Sequence, residues 1–272
     1  QEGCGYATSH RITNLTKDGA GWKVEVKDLT TKQRLKTKTN FVFIGAGGGS
    51  LPLLQKSGIK ESKGFGGFPI GGQWLICDKP EIVNKHLAKV YGLSPGAAPT
   101  MAVPHLDTRI INGKKALLFG PYAAWTTKFL HKGGSYLDLP GSVRWDNIAS
   151  LIKVGLHNIP LVQYLIQQGT QSINTRMGEL RNFYPDARNE DWELIDAGIR
   201  VQAIKQLDGD AGIVHFGTEV LSSTDRSISA LLGASPGASV SVNIILEVVR
   251  ECFGHLLETD EGHARMKEMI PS

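Results

Sequence analysis

The run "PHLDTR", residues 104–109, sets an imidazole, a carboxylate and a guanidinium at alternate positions. If it is a strand, His105, Asp107 and Arg109 point to one face and form a polar wall. Histidine titrates near neutrality and suits a general base, and Asp107 would either hold its tautomer or neutralise Arg109. A satisfied structural histidine fits these residues equally well. Arg200 in "GIRVQ" is the second candidate. Within the apolar run 197–204 a guanidinium needs a partner, either an acid such as Asp196 or Glu193 or a bound carboxylate, which it matches bidentately. Gln202, two positions on, shares its strand face, and Tyr122 follows the Gly120-Pro121 turn; both are candidate hydrogen-bond donors.

Two runs of small residues would let a ligand approach backbone. "FVFIGAGGGS", residues 41–50, is a partial match to GxGxxG, with Ser50 where the third glycine belongs. No strand-end acid stands about 20 positions on to take a ribose, and Glu61 is too close. Gly45, Ala46, Gly47 and Gly48 therefore form either a phosphate-gripping turn or a glycine turn with another job. In "LLGASPGAS", residues 231–239, Ser235 reads as a helix N-cap and Pro236 as the first helical position. Gly237, Ala238 and Ser239 would then expose N–H groups that favour negative charge, although an ordinary capped helix reads the same way.

The elements that must carry these residues read as a mixed α/β (α+β) chain. From Ser9 to Ile44 the pattern is an antiparallel meander, with Trp22, Val24 and Val26 alternating against Lys23, Glu25 and Lys27 in its second strand. A short helix over 51–56, capped by Ser50, ends at Gly58. Strands follow over 89–93, 101–111 and 115–119, the last two joined by an Asn112-Gly113 hairpin. A helical block runs from about 145 to 183, broken at Pro160, with Ile173, Met177, Leu180 and Phe183 as core positions. Strands return over 199–204 and 213–216, and a long helix starts near Ser235.

Composition narrows the function class. The 272 residues are 41% hydrophobic and 21% charged, as in folded domains, with no compositional sign of disorder. Net charge is +4 with no basic run, which argues against nucleic acid and for small anions. Cys4, Cys77 and Cys252 lack ligand spacing, so neither a metal site nor a disulfide framework is expected, and reduced thiols in cytoplasm fit. No stretch reaches the roughly 18 apolar residues of a membrane span, leaving only peripheral attachment.

"FVFIGAGGGSLPLLQKSGI", "GFPIGGQWL", "PHLDTRIINGKKALLFGPYAAWTTKFL", "DWELIDAGIRVQAI" and "LLGASPGASVSVNIILEVV", in this order, resemble the malate:quinone oxidoreductase family across almost the whole chain. The resemblance extends loosely to flavoproteins of the D-amino-acid-oxidase-like type. It implies FAD-dependent oxidation of L-malate to oxaloacetate in the tricarboxylic acid cycle, with electrons passed to membrane quinone at the inner face of the cell membrane. The family's N-terminal GxGxxG segment is absent, so the chain looks like the C-terminal larger part of a member and is expected to be inactive alone. The 41–50 segment would then be a later return to the FAD domain.

On this resemblance, residues 1–62 and 210–272 belong to the FAD domain and 63–209 to a mixed-sheet substrate domain. Gly45, Ala46, Gly47, Gly48 and Ser235 to Ser239 would approach FAD. Arg200 and Arg109 would hold the two carboxylates of malate, Gln202 and Tyr122 would donate hydrogen bonds, and His105 would take the hydroxyl proton. A flavoenzyme for another 2-hydroxy acid, or an inactive binding module, are the alternatives.

Overall fold

The structure, a computed structural model, describes residues 3–93, 103–157, 159–205, 213–215, 218–233 and 237–270. The chain divides into two compact units. One comprises Gln1–Phe68, Asp138–Val154 and Val201–Ser272, the other Pro69–Leu137 and Gly155–Arg200.

In the first unit the expected meander forms from β1 (His10–Asp18), β2 (Gly21–Asp28) and β3 (Arg34–Thr39). Gly19 takes φ 61 in the first turn, and a Cβ at Gly21 would lie 2.6 Å from Thr39 O, so only glycine fits there. Alternation along β2 buries Trp22 and Val24. The Trp22 indole N–H donates to Ser227 O at 3.1 Å and Ser227 Oγ at 3.0 Å, and Lys17 lies over its ring while pairing with Asp225.

The sequence reads 34–44 as one strand, but the chain breaks at Asn40. Residues Val42–Ile44 form β4 in a different sheet, paired in parallel with β12 (Ile228–Leu232), which also pairs antiparallel with β11 (Glu219–Ser222). The glycine turn thus leaves a parallel strand rather than the meander. Helix α1 (Ser50–Ser57) follows and stops at Gly58, φ 71. Gly49, not Ser50, holds the N-cap position: Ser50 is inside the helix, where its Oγ accepts the Ala46 N–H at 3.0 Å.

The segment at the other end of this unit holds α7 (Gly237–Leu257), which packs on β11 through Ile244, Val248 and Cys252, and α8 (Asp260–Met269). Sequence reading missed α8, although Thr259 caps it by accepting the Gly262 N–H and Asp260 and Glu261 stand in its first turn.

The second unit carries most of a six-stranded sheet in the order β10 (Ile213–His215), β9 (Glu193–Lys205), β5 (Gly66–Cys77), β8 (Lys114–Trp125), β7 (His105–Ile111) and β6 (Lys89–Tyr91). Asn112 and Gly113, φ 50 and 80, make the predicted two-residue hairpin between β7 and β8. Strand β8 runs on past the predicted end at Phe119, through Gly120 and Pro121, and stays paired to β5 across a register shift. The helical block resolves into α4 (Ile148–His157), α5 (Ile159–Thr170) and α6 (Ile173–Arg181), with Pro160 in the first turn of α5, where its missing N–H costs nothing. Residues Met177 and Leu180 of α6 press on Leu75, Leu106, Leu117 and Phe119 on one face of the sheet; Trp74, Ala116 and Leu118 cluster on the other.

Candidate functional site

On the α6 face, the centre is a cation that sequence reading missed. Arg176 is 2% exposed and pairs with no carboxylate among the described residues. One Nη donates to Gln73 Oε1 at 2.9 Å, the other to Gln168 O at 2.9 Å, and the guanidinium lies over the Tyr122 ring at 4.8 Å. Because Gln73 gives its oxygen to the cation, its NH2 faces away and donates to Asp196 Oδ1 on β9 at 2.9 Å. The amide thus links buried cation and exposed carboxylate in the one orientation that both charges favour. Burial pulls the Arg176 proton affinity down, opposed by the Glu179 carboxylate. A signal existed: Arg176 stands three after Ile173 and four before Leu180, on the apolar stripe of α6.

Tyr122 lies beneath this cluster, buried, its hydroxyl donating to Arg176 O at 3.2 Å. Burial first, then the Glu179 carboxylate, pushes that hydroxyl far up, so it stays a neutral phenol.

His105, Asp107 and Arg109 do share one face, around Trp74. The His105 ring meets the Trp74 ring edge-on at 5.0 Å and Tyr91 at 4.8 Å, and Arg109 stacks over Trp74 at 4.9 Å. Asp107 accepts from Arg109 Nε at 2.8 Å and faces Lys89 at 3.3 Å, so it neutralises Arg109 rather than holding the histidine. The 3.1 Å contact of His105 Nδ1 is with Val103 O, which fixes the Nδ1–H tautomer. Burial, aided by Lys89 and Arg109, lowers the His105 pKa and favours the neutral ring, whose Nε2 has no hydrogen-bond partner among the described residues.

Strand β9 carries the remaining candidates. Leu194 packs with the α6 side and Ile195 with Trp74, so even positions up to Arg200 share the Asp196 face by alternation. Arg200 therefore stands on the same side as Gln73, Tyr122 and Arg176, and on the opposite side from His105 and Arg109. The expected clamp of Arg200 and Arg109 on one substrate is not formed through one face of this sheet. Arg200 is half-buried, and burial lowers its pKa.

Gln202, next in the same row, is 0% exposed, and neither its oxygen nor its nitrogen has a partner among the described residues. A buried amide group left unsatisfied costs roughly 1–3 kcal/mol, so such a group points to a missing partner.

The predicted glycine turn lies in the first unit, at the rim of a hollow lined by Gly47, Gly48, Leu51, Gly66, Val201, Ala203, Leu232 and Gly233. Four of these eight residues are glycine, so the hollow is walled largely by backbone. Gly47 takes φ 55, and a Cβ there would meet nothing within 4 Å. Gly45 closes β4, and Ala46 turns its N–H inward to Ser50 Oγ. Gly237 and Ala238 open α7 and Ser239 is exposed in its first turn, while Ser235 and Pro236 lie outside the described residues.

The model of the malate:quinone oxidoreductase family matches residues 1–272. The chain is 51% identical to a "Probable malate:quinone oxidoreductase" of Flavobacterium johnsoniae over 97% of its length and 53% of the relative's. It is 52% identical to "Probable malate:quinone oxidoreductase 2" of Pseudomonas aeruginosa over 100% and 54%. The chain thus spans about half the length of these curated relatives. Among solved structures, glycerol-3-phosphate dehydrogenase from Bacillus halodurans, complexed with FAD, matches 89% of this chain and 38% of its own, with TM-score 0.51 and 12% identity, a likeness of fold alone.

Proposed function

This chain belongs to the malate:quinone oxidoreductase family, and on that premise we propose that the protein oxidises L-malate to oxaloacetate with FAD as cofactor and a membrane quinone as final acceptor. The family match over all 272 residues is the observation that carries this reading. Gly47, Gly48, Gly66 and Gly233 permit close approach of a cofactor to the backbone at this rim, and the partnerless Gln202 amide suits a polar ligand. Gly45 to Gly48 and the start of α7 at Gly237 to Ser239 would hold FAD, with Ser235 and Pro236 assigned to the same group. Bound FAD supplies the acceptor for the hydride that leaves C2 of malate and the route for two electrons to quinone.

The residues of the chain do the rest. Arg200 takes one malate carboxylate as a bidentate partner, and its partial burial strengthens that pair over one in water. Gln202, in the same row, donates to the substrate. Tyr122 supports from below, through the Arg176 carbonyl it holds. Loss of hydride from C2 requires the C2 hydroxyl to give up its proton. His105, neutral and with Nε2 open, has the chemistry of that base, and Arg109 the chemistry of a second carboxylate ligand; they form a pair of their own on the opposite sheet face, so the two rows are tested separately. Quinone is lipid-soluble, so the reading brings the protein to the membrane surface, at the inner face that the family resemblance implies, and no described helix is long and apolar enough to cross it.

Quinone reduction by the protein extended to the length of its curated relatives tests the reading. L-malate should reduce a soluble quinone analogue far faster than lactate or 2-hydroxyglutarate. Equal or preferred use of another 2-hydroxy acid would move the protein to a different substrate, and no reduction by any of them would remove the enzyme reading.

A further inference from the structure

Apart from the residues assigned above, the second unit holds a groove of about 740 Å³, whose lining includes Glu81, Lys85, Asp186, Arg188, Asp191 and Trp192. Sites that take small molecules have volumes of roughly 300–1,000 Å³. One wall is the short helix α2 (Pro80–Val83) with the turn after it, and the other is the chain from Tyr184 to Trp192, which follows α6.

Internal bonds fix these walls. Arg181 Nε donates to Ala187 O at 3.0 Å and its Nη2 to Asn189 Oδ1 at 2.7 Å, while the Ala187 N–H closes a turn on Tyr184 O at 3.1 Å. Lys79, just ahead of α2, ties one wall to the other: its Nζ donates to Asp191 Oδ1 at 2.6 Å and to Glu190 O at 3.4 Å. Ala187 and Trp192 are anchored from behind in the core cluster of Val83, Met177 and Leu180. A groove built this way loses little conformational freedom when it binds.

Its charges are mixed and left apart. Lys85, Arg188, Glu81 and Asp186 are exposed, and none of the four forms an ion pair among the described residues, whereas Asp191 is neutralised by Lys79. A plain anion would meet the two carboxylates here, and a plain cation the two basic groups. One ligand carrying both charges satisfies all four. Trp192 adds a further demand: it is 6% exposed, and its indole nitrogen has no partner among the described residues. Buried donors are nearly always satisfied, and an indole N–H only donates, so it calls for an oxygen acceptor.

We propose that this groove binds a short zwitterion of peptide type. Its carboxylate meets Lys85 and Arg188, its ammonium meets Glu81 and Asp186, and a carbonyl oxygen between them accepts the Trp192 N–H. A free amino acid would fill only a fraction of the volume, so ends set apart by two or three residues fit better. None of these side chains takes part in the proposed malate chemistry, so failure of either reading leaves the other untouched.

Trialanine titrated into the purified protein, followed by calorimetry and by the NMR signals of the five indole N–H groups, tests the site without malate, flavin or quinone. Saturable binding is expected, with a downfield shift of the one signal that Trp192→Phe removes. Lys85→Gln with Arg188→Gln, and Glu81→Gln with Asp186→Asn, should each weaken binding roughly 3- to 30-fold, and Trp192→Phe roughly 2- to 10-fold. The four charged positions are exposed, so unchanged circular dichroism of the two double variants serves as the folding control. Propionate and ethylammonium, with one charge each, should not saturate. No saturable binding of trialanine overturns the proposal, as does equal binding of either singly charged compound. Binding that survives both double changes, or that leaves the Trp192 signal unmoved, overturns it as well by placing the ligand elsewhere.

Discussion

Replacing Arg176 with methionine removes the centre of the α6 cluster while keeping its volume. Two hydrogen bonds from a charged donor are lost, to Gln73 Oε1 and Gln168 O, each worth about 1.5–3 kcal/mol. Two acceptors then lose their donor in a part-buried site. Against this, the substitution relieves the desolvation of a cation that has no carboxylate partner among the described residues, a gain of several kcal/mol in other buried ions. The opposing contributions leave a net destabilisation of about 2–3 kcal/mol, larger than methionine packing alone would give.

The partition can be checked by guanidinium unfolding of Arg176→Met, Gln73→Leu and the double variant. Because the two side chains share one hydrogen bond, the cycle should show a coupling of about 1–2 kcal/mol at unchanged m. If Arg176→Met is neutral or stabilising and the double variant is additive, the cation does not organise this face and its link to Asp196 is incidental.

Arg200→Ala in the protein extended to its relatives' length should lower kcat/KM for L-malate roughly 10- to 100-fold, the cost of about 1.5–3 kcal/mol for a charge-assisted pair; a loss within about threefold removes its carboxylate role. Conversely, a drop of similar size in His105→Gln but not in Arg200→Ala would move the substrate to the Trp74 face. His105 also predicts a pH effect on stability. Its folded pKa lies below the ordinary value of 6.5, chiefly through burial, so the unfolded chain binds more protons just under that pH. Stability from this group is present above pH 6.5 and falls as the pH drops below it, and His105→Gln should flatten that slope; an unchanged acid limb in urea titrations would contradict the burial of a neutral ring.

Much of the fold was legible because local pattern and tertiary environment agreed. Alternation at Trp22 and Val24, the Asn112-Gly113 turn and the αL Gly58 each dictate local geometry by themselves. The failures have physical causes. Nothing in "TKTNFVFI" announces that the chain leaves one sheet and joins another at Asn40, since the parallel partner β12 lies almost 190 residues away in sequence. Ser50 reads as a cap because serine caps helices, yet here its hydroxyl holds the preceding turn from inside the helix. Strand parity joined His105 to Arg109, and Arg200 to Gln202, but parity within a strand says nothing about which face two distant strands share. Arg176 stayed hidden for a related reason: on a core stripe it looks like a break in the apolar pattern, and only Gln73 and Gln168 turn it into a site.

Oxidation of malate by a bound flavin is tested by an anaerobic visible spectrum of the protein extended to the length of its relatives, before and after L-malate. Flavin absorption that bleaches on addition of L-malate, and returns on addition of a quinone, is the predicted result. A protein that takes up no FAD, or whose flavin bands are untouched by malate, would contradict it.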